Sequence, residues 1–94
     1  MLYPFITLPD GSEVVYSEIK NRDGKEYVTV KFERWNDDRD DFDSMECELP
    51  NGKMTKVIGY TQEEADDQNE KMWQLQDMIM EHSKEATETD SLCQ

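Results

Sequence analysis

The run Glu26-Tyr27-Val28-Thr29-Val30-Lys31-Phe32-Glu33-Arg34-Trp35 decides the fold. Val28, Val30 and Phe32 alternate with Tyr27, Thr29, Lys31 and Glu33, which gives one apolar side and one wet side. A period of two is the signature of a half-buried β-strand. Turn signals surround it. Asn21-Arg22-Asp23-Gly24 lies before it, Pro9-Asp10-Gly11 lies further upstream and Pro50-Asn51-Gly52 lies after it. Asp-Gly and Asn-Gly supply the positive φ angles that tight hairpins require. Between these turns lie further segments rich in β-branched and aromatic residues: 5–8, 14–19, 42–49 and 53–60. Connections of hairpin length make neighbours antiparallel, so residues 3–60 are predicted to form a meander of about five strands.

The period then changes. Thr61-Gln62-Glu63-Glu64 fits a capping box, in which Thr61 caps a helix and Glu64 bonds back to it. Acids crowd the first turns, where the helix dipole favours them. No Gly or Pro follows, so a helix is predicted over 62–86. Ala65, Met72, Leu75, Ile79 and Ala86 share one stripe, flanked by Met78 and His82 on one side and by Trp73 and Met80 on the other. Glu63, Asp66, Glu70, Asp77 and Glu81 lie on the opposite face. The expectation is a single α+β domain over 1–86, with the sheet at 3–60 and one long amphipathic C-terminal helix packed on one sheet face. Residues 87–94 are polar and predicted to form a flexible tail.

Composition limits the function. The chain carries 23 Asp and Glu against 10 Lys and Arg, a net charge of −13 over 94 residues. The long-range field of such a chain repels phosphate, so direct binding to nucleic acid or to an anionic membrane is nearly excluded on charge. Hydrophobic content of 35% leans toward disorder, but the strand and turn patterns oppose it. No positively charged region followed by an apolar stretch opens the chain, so no secretory signal is expected. The apolar runs are too short to predict a membrane span. Cys47 and Cys93 are far apart and are expected to be free thiols in a reducing cytoplasm.

Catalysis has little to work with. His82 is the only histidine, so any Ser-His-Asp or Cys-His arrangement would have to pass through a position near the end of the helix. Two cysteines and one histidine, not clustered, exclude a Cys/His metal site. The glycines serve turns or, at Gly59, a strand end; none builds a phosphate loop. The acidic run holding Asp37, Asp38, Asp40, Asp41 and Asp43 is the best metal candidate, since several carboxylates in one loop could hold Ca²⁺. It fails the EF-hand pattern and reads better as a solvated, charge-repelling loop. A carboxylate pair for glycoside hydrolysis would need a cleft that a domain this small rarely supplies. The expectation is a protein without catalytic residues, resident metal or cofactor, with a small hydrolase or ligand-binding domain as the competing class.

Two surfaces point to a partner protein. The acidic ridge from Glu63 to Glu81 spans about 27 Å at about 1.5 Å per residue. Carboxylates spaced along a rigid helix can imitate the phosphates of a nucleic acid, and such a mimic would block the basic groove of a nuclease, a repressor or a CRISPR effector. The second surface is apolar. Tyr27 and Trp35 fall at alternating positions of one strand, with Tyr16 expected beside them on the sheet face away from the helix, while Trp73 and Met80 sit at the edge of the helix stripe. One helix covers one side of a sheet, so a homodimer through the open face is a natural way to cover the other.

The segments Ile6-Thr7-Leu8-Pro9-Asp10-Gly11 with Val14-Val15-Tyr16-Ser17, and Tyr27 to Arg34 followed by Phe42-Asp43-Ser44 and Glu46-Cys47-Glu48-Leu49-Pro50, resemble a group of short acidic proteins from gut bacteria and their mobile elements. The resemblance covers about residues 5 to 50. It implies a bacterial cytoplasmic protein in a mobile-element setting, which favours the inhibitor reading, and it supplies no catalytic or binding residue.

Overall fold

The computed structural model describes the backbone of residues 2–50 and 52–92. The elements run β1 (Leu2–Thr7), β2 (Glu13–Ser17), β3 (Lys20–Arg22), β4 (Lys25–Asn36), β5 (Asp41–Leu49), β6 (Thr55–Ile58) and α1 (Gln62–Leu92). One antiparallel sheet has the order β1-β2-β4-β5-β6, and β3 pairs with β4 beyond the end of β2. The architecture is α+β, with the C-terminal helix laid on one face of a meander.

Six strands replace the predicted five because the segment 14–19 does not continue as one strand. Its ladder on β4 stops at the Tyr16–Val30 pair, and β3 resumes at Lys20–Tyr27. At the break, Ser17 Oγ accepts the backbone N–H of Thr29 at 3.0 Å, so a side chain supplies the bond that the ladder has lost. The Asp23-Gly24 turn that follows has positive φ at both residues, 53° and 80°, as a two-residue hairpin of the primed type demands. The last strand is shorter than the predicted 53–60. A bulge with Lys56 at φ 51° interrupts its pairing with β5.

Register fixes the faces. Val28, Val30 and Phe32 point toward the helix with Met45, Cys47 and Leu49 of β5 and Val14 and Tyr16 of β2. Met72, Ile79 and Ala65 of α1 close this core. Each fully buried large apolar side chain here contributes about 1.5–3 kcal/mol. The expectation that Tyr16 joins Tyr27 and Trp35 on the open face is corrected: Tyr16 lies opposite Val30, is buried, and packs against Tyr3, Phe5 and His82. Both sides of Val14-Val15-Tyr16 are apolar, so alternation alone could not assign its face; pairing with β4 does.

The capping box is present, with Glu64 N–H donating to Thr61 Oγ1 at 3.1 Å and Thr61 N–H donating to Glu64 Oε1 at 3.0 Å. The helix backbone continues to Leu92, past the predicted end at Ala86, because nothing in that stretch breaks it. Residues 93 and 94 of the predicted tail, including Cys93, lie outside the described residues. Two polar residues lie buried in the apolar stripe: Asn69 binds the segment after β5, and Ser83 Oγ donates to the Ser17 carbonyl.

Cys47 lies in the core at 1% exposure, and burial pushes its thiol up to about 12, helped by Glu46 and Glu48. In a Cys93→Ser variant, Cys47 is expected to resist a disulfide reagent at mildly alkaline pH until denaturant unfolds the sheet. Stoichiometric labelling of the native protein would contradict this packing.

Candidate protein-docking groove

Continuing the inward row of β4 past Phe32 brings Arg34 under the start of the helix, opposite Asp43 of β5. Its Nε donates to Asp43 Oδ2 at 2.8 Å, its Nη1 to Glu64 Oε2 at 2.8 Å and to Asp10 Oδ2 at 3.0 Å. The guanidinium lies over the Tyr60 ring at 4.2 Å, and Tyr60 Oη is 2.8 Å from Ser12 Oγ. Asp43 also accepts from Arg39 Nη1 at 2.6 Å and from Asn36. Hydrogen bonds to Glu64 above all, then to Asp43 and Asp10, hold the Arg34 guanidinium more firmly protonated against the opposing effect of burial. Hydrogen bonds from Arg34 in turn hold the Asp43 and Glu64 carboxyls below the usual carboxylate pKa range. Burial pushes Asp10 up, but bonds from Ser12 and Arg34 outweigh it and leave that carboxyl below its ordinary value. This hub ties the β1–β2 turn, the β4–β5 hairpin and the helix N-terminus together.

The acidic run therefore does not gather. Asp43 points inward to the arginines, Asp37 accepts Trp35 Nε1 at 2.7 Å, Asp41 accepts the N–H of Phe42, and Asp38 and Asp40 are exposed. Among the described residues, no three His, Cys, Asp or Glu side chains converge on a point that could hold a metal ion. His82 is exposed and meets the rings of Phe5 and Tyr16 at 6.2 and 6.5 Å.

On the helix, Glu63, Asp66, Glu70, Asp77 and Glu81 are all exposed, and among the described residues none is in an ion pair. The well-placed cations are engaged elsewhere: Arg34 and Arg39 in the hub, Arg22 with Glu48 at 3.1 Å and Lys56 with Glu46 at 2.9 Å. The ridge carboxylates are thus left out of these pairs, with Lys71 and Lys84 on the same helix and Lys53 lining the same cleft as Asp66 and Glu70.

That ridge forms the lip of a groove. Between α1 and β6 lies a cleft of about 530 Å³, walled by Asp66, Glu70 and Trp73 on the helix and by Lys53, Met54 and Val57 on the sheet side. Asn69 closes it below by accepting the Met54 N–H and donating to the Gly52 carbonyl, and Trp73 Nε1 donates to the same carbonyl at 2.9 Å. Two separately predicted features, the acidic ridge and Trp73, meet here. Sequence reasoning missed Val57, Met54 and Asn69; the signal available was Asn69 interrupting the apolar stripe.

The remaining candidates are dispersed. Trp35 is 51% exposed and meets Phe42 edge-on at 5.1 Å at the far end of the open face. Tyr27 carries Arg22 over its ring at 4.5 Å. Met80 is half-buried against the core. Among the described residues, no helix is long and apolar enough to cross a membrane. No protein-family model, no curated protein and no solved structure matches this chain.

Proposed function

We propose that this chain is a non-catalytic, acidic protein-binding module that docks a partner with a basic surface through the exposed face of α1. The observation that carries the reading is the ridge of carboxylates without ion-pair partners. Five carboxylates lie along one helix, while Arg34 and Arg39 are held in the hub and Arg22 and Lys56 in exposed pairs. Such a field raises the encounter rate with cationic surfaces and repels anionic ones. The reading takes the setting to be a bacterial cytoplasm, on the resemblance of the sheet half and on thiols expected to be reduced.

The test is capture from a bacterial lysate on immobilised protein, with a variant carrying Gln or Asn at Glu63, Asp66, Glu70, Asp77 and Glu81 alongside. A basic protein retained by the native chain is expected to be lost from the variant. Its binding should weaken at least about tenfold between about 0.05 M and about 0.5 M salt, because exposed charges are screened over that range. Retention that is equal on both proteins, or indifferent to salt, would overturn the proposal. The regular placement of the ridge favours one special case, a nucleic-acid mimic. For that case the captured protein should be displaced by duplex DNA or RNA.

A further inference from the structure

We propose that the groove between α1 and β6 receives an extended basic segment of the partner, which adds as a strand to the outer edge of β6. This rests on the reading of the chain as a module for basic partners, and it names how one such partner is held.

Three observations converge. First, β6 ends the sheet: β5 lies on one side, and among the described residues no strand pairs with the other. An edge strand presents a row of backbone donors and acceptors ready to take a further strand. All four of its residues, Thr55 to Ile58, are exposed. Second, the edge faces a built cleft. Strand addition needs room for the side chains that alternate toward the helix, and the cleft of about 530 Å³ has a rigid end where Asn69 and Trp73 tie the Gly52–Met54 segment to α1. Third, the cleft has a defined chemistry. Val57, Met54 and the face of Trp73 offer apolar contact, and Asp66 and Glu70 stand at its lip as acceptors. Lys53, in the Gly52–Met54 segment tied to Asn69 and Trp73, also lines the cleft and adds one positive charge to it.

The opposite edge of the sheet is less suited. In β1, Pro4 lacks a backbone N–H and a bulge disturbs the pairing after it, both devices that blunt an edge. The bulge at Lys56 also shortens the useful edge of β6. The added strand is therefore short, and side chains must supply much of its affinity. The occupant that fits is a segment alternating Lys or Arg with an aliphatic residue, its cations toward Asp66 and Glu70 and its aliphatic groups on Val57 and Trp73.

The experiment uses the full chain and a capped peptide of alternating lysine and valine, followed by amide NMR and calorimetry. Amide signals of Thr55 to Ile58 should shift together with the Trp73 indole N–H. N-methylation of alternate peptide amides, which keeps charge and side chains but removes donors, should weaken binding about tenfold or more. An Asp66→Asn, Glu70→Gln variant should weaken it by a similar factor, while Glu81→Gln, outside the groove, should not. Binding that ignores N-methylation, or that moves only helix signals, would overturn strand addition while leaving the ridge reading intact. Absence of peptide binding beside salt-sensitive capture of a folded basic protein would do the same. Loss of that capture signal, by contrast, would remove the underlying reading itself.

Discussion

Gly59→Ala is expected to lower the melting temperature by about 15 °C, and a larger side chain at this position should prevent folding. Two independent effects combine. Gly59 has φ +82°, a conformation that costs a non-glycine residue about 1–3 kcal/mol. In addition, a Cβ there would overlap Asp43 Oδ1 and Cγ and come within 2.6 Å of Arg39 Nη1. The side chains it meets are held by the hub, so they cannot move aside without breaking charge-assisted bonds. Taken together, about 3 kcal/mol is a moderate expectation, and each kcal/mol moves the midpoint of a domain this size by about 4–8 °C. A double-mutant cycle separates the two effects. With Asp43→Ala in place the overlap with the carboxylate disappears and Arg39 loses the partner that holds it beside residue 59, so Gly59→Ala should then cost little beyond the backbone strain. Additive losses would show that the collision with Asp43 is not what excludes a side chain at residue 59.

Removing Arg34 is expected to be as damaging. Arg34→Ala strips Asp43 of one of its two guanidinium partners where the carboxylate is 1% exposed, and it also frees Asp10 and Glu64. Breaking a buried pair by deleting one partner costs about 3–5 kcal/mol. The side chain of Arg34 is 18% exposed, so about 3 kcal/mol is the appropriate end of that range. Replacing both members, Arg34→Met with Asp43→Leu, should recover part of the loss, because no charge is then left buried. The hub also sets the response to acid. Asp10, Asp43 and Glu64 all have folded-state pKa values displaced below their ordinary values of 3.8, 3.8 and 4.5. Groups displaced in this direction stabilise the fold above their unfolded values, and the contribution is lost as pH falls through the lower folded ones. Stability measured by denaturant titration should therefore drop below about pH 4 in the native chain and drop less in the Arg34→Met, Asp43→Leu protein. Equal acid sensitivity in both would place the pH dependence outside the hub.

Much of the fold was legible because its signals are local. The alternation of Val28, Val30 and Phe32, the Asp23-Gly24 hairpin and the Thr61–Glu64 box each lie within a few residues of what they specify. Legibility failed where a residue's role depends on a distant element. Tyr16 follows two consecutive valines, so alternation does not assign its face, and only pairing with Val30 turns it inward. Arg34 continues the inward parity of its own strand, and the hairpin register from Asn36–Asp41 places Asp43 opposite. A charged residue on an apolar face asks for a partner, so this pair was deducible. Glu64 and Asp10 were not, because they arrive from a helix and a turn whose docking no short stretch encodes. The docking groove was half visible: the ridge and Trp73 follow from helical spacing, whereas Val57 and the clamp by Asn69 depend on how β6 lies against α1.

The hub has a temporal consequence. Arg34 and Asp43 lie 9 residues apart and meet as the β4–β5 hairpin pairs, whereas Asp10 and Glu64, 24 and 30 residues from Arg34, join only once the β1–β2 turn and the helix have docked. The longer separations carry a larger loop-closure cost, so the Asp10 and Glu64 arms are expected to close last. Contacts made after the folding barrier slow the escape from the folded state, so removing those arms is expected to quicken unfolding more than it slows folding. Those two arms of Arg34 are expected to act as a latch, lengthening the life of the folded state once they have closed.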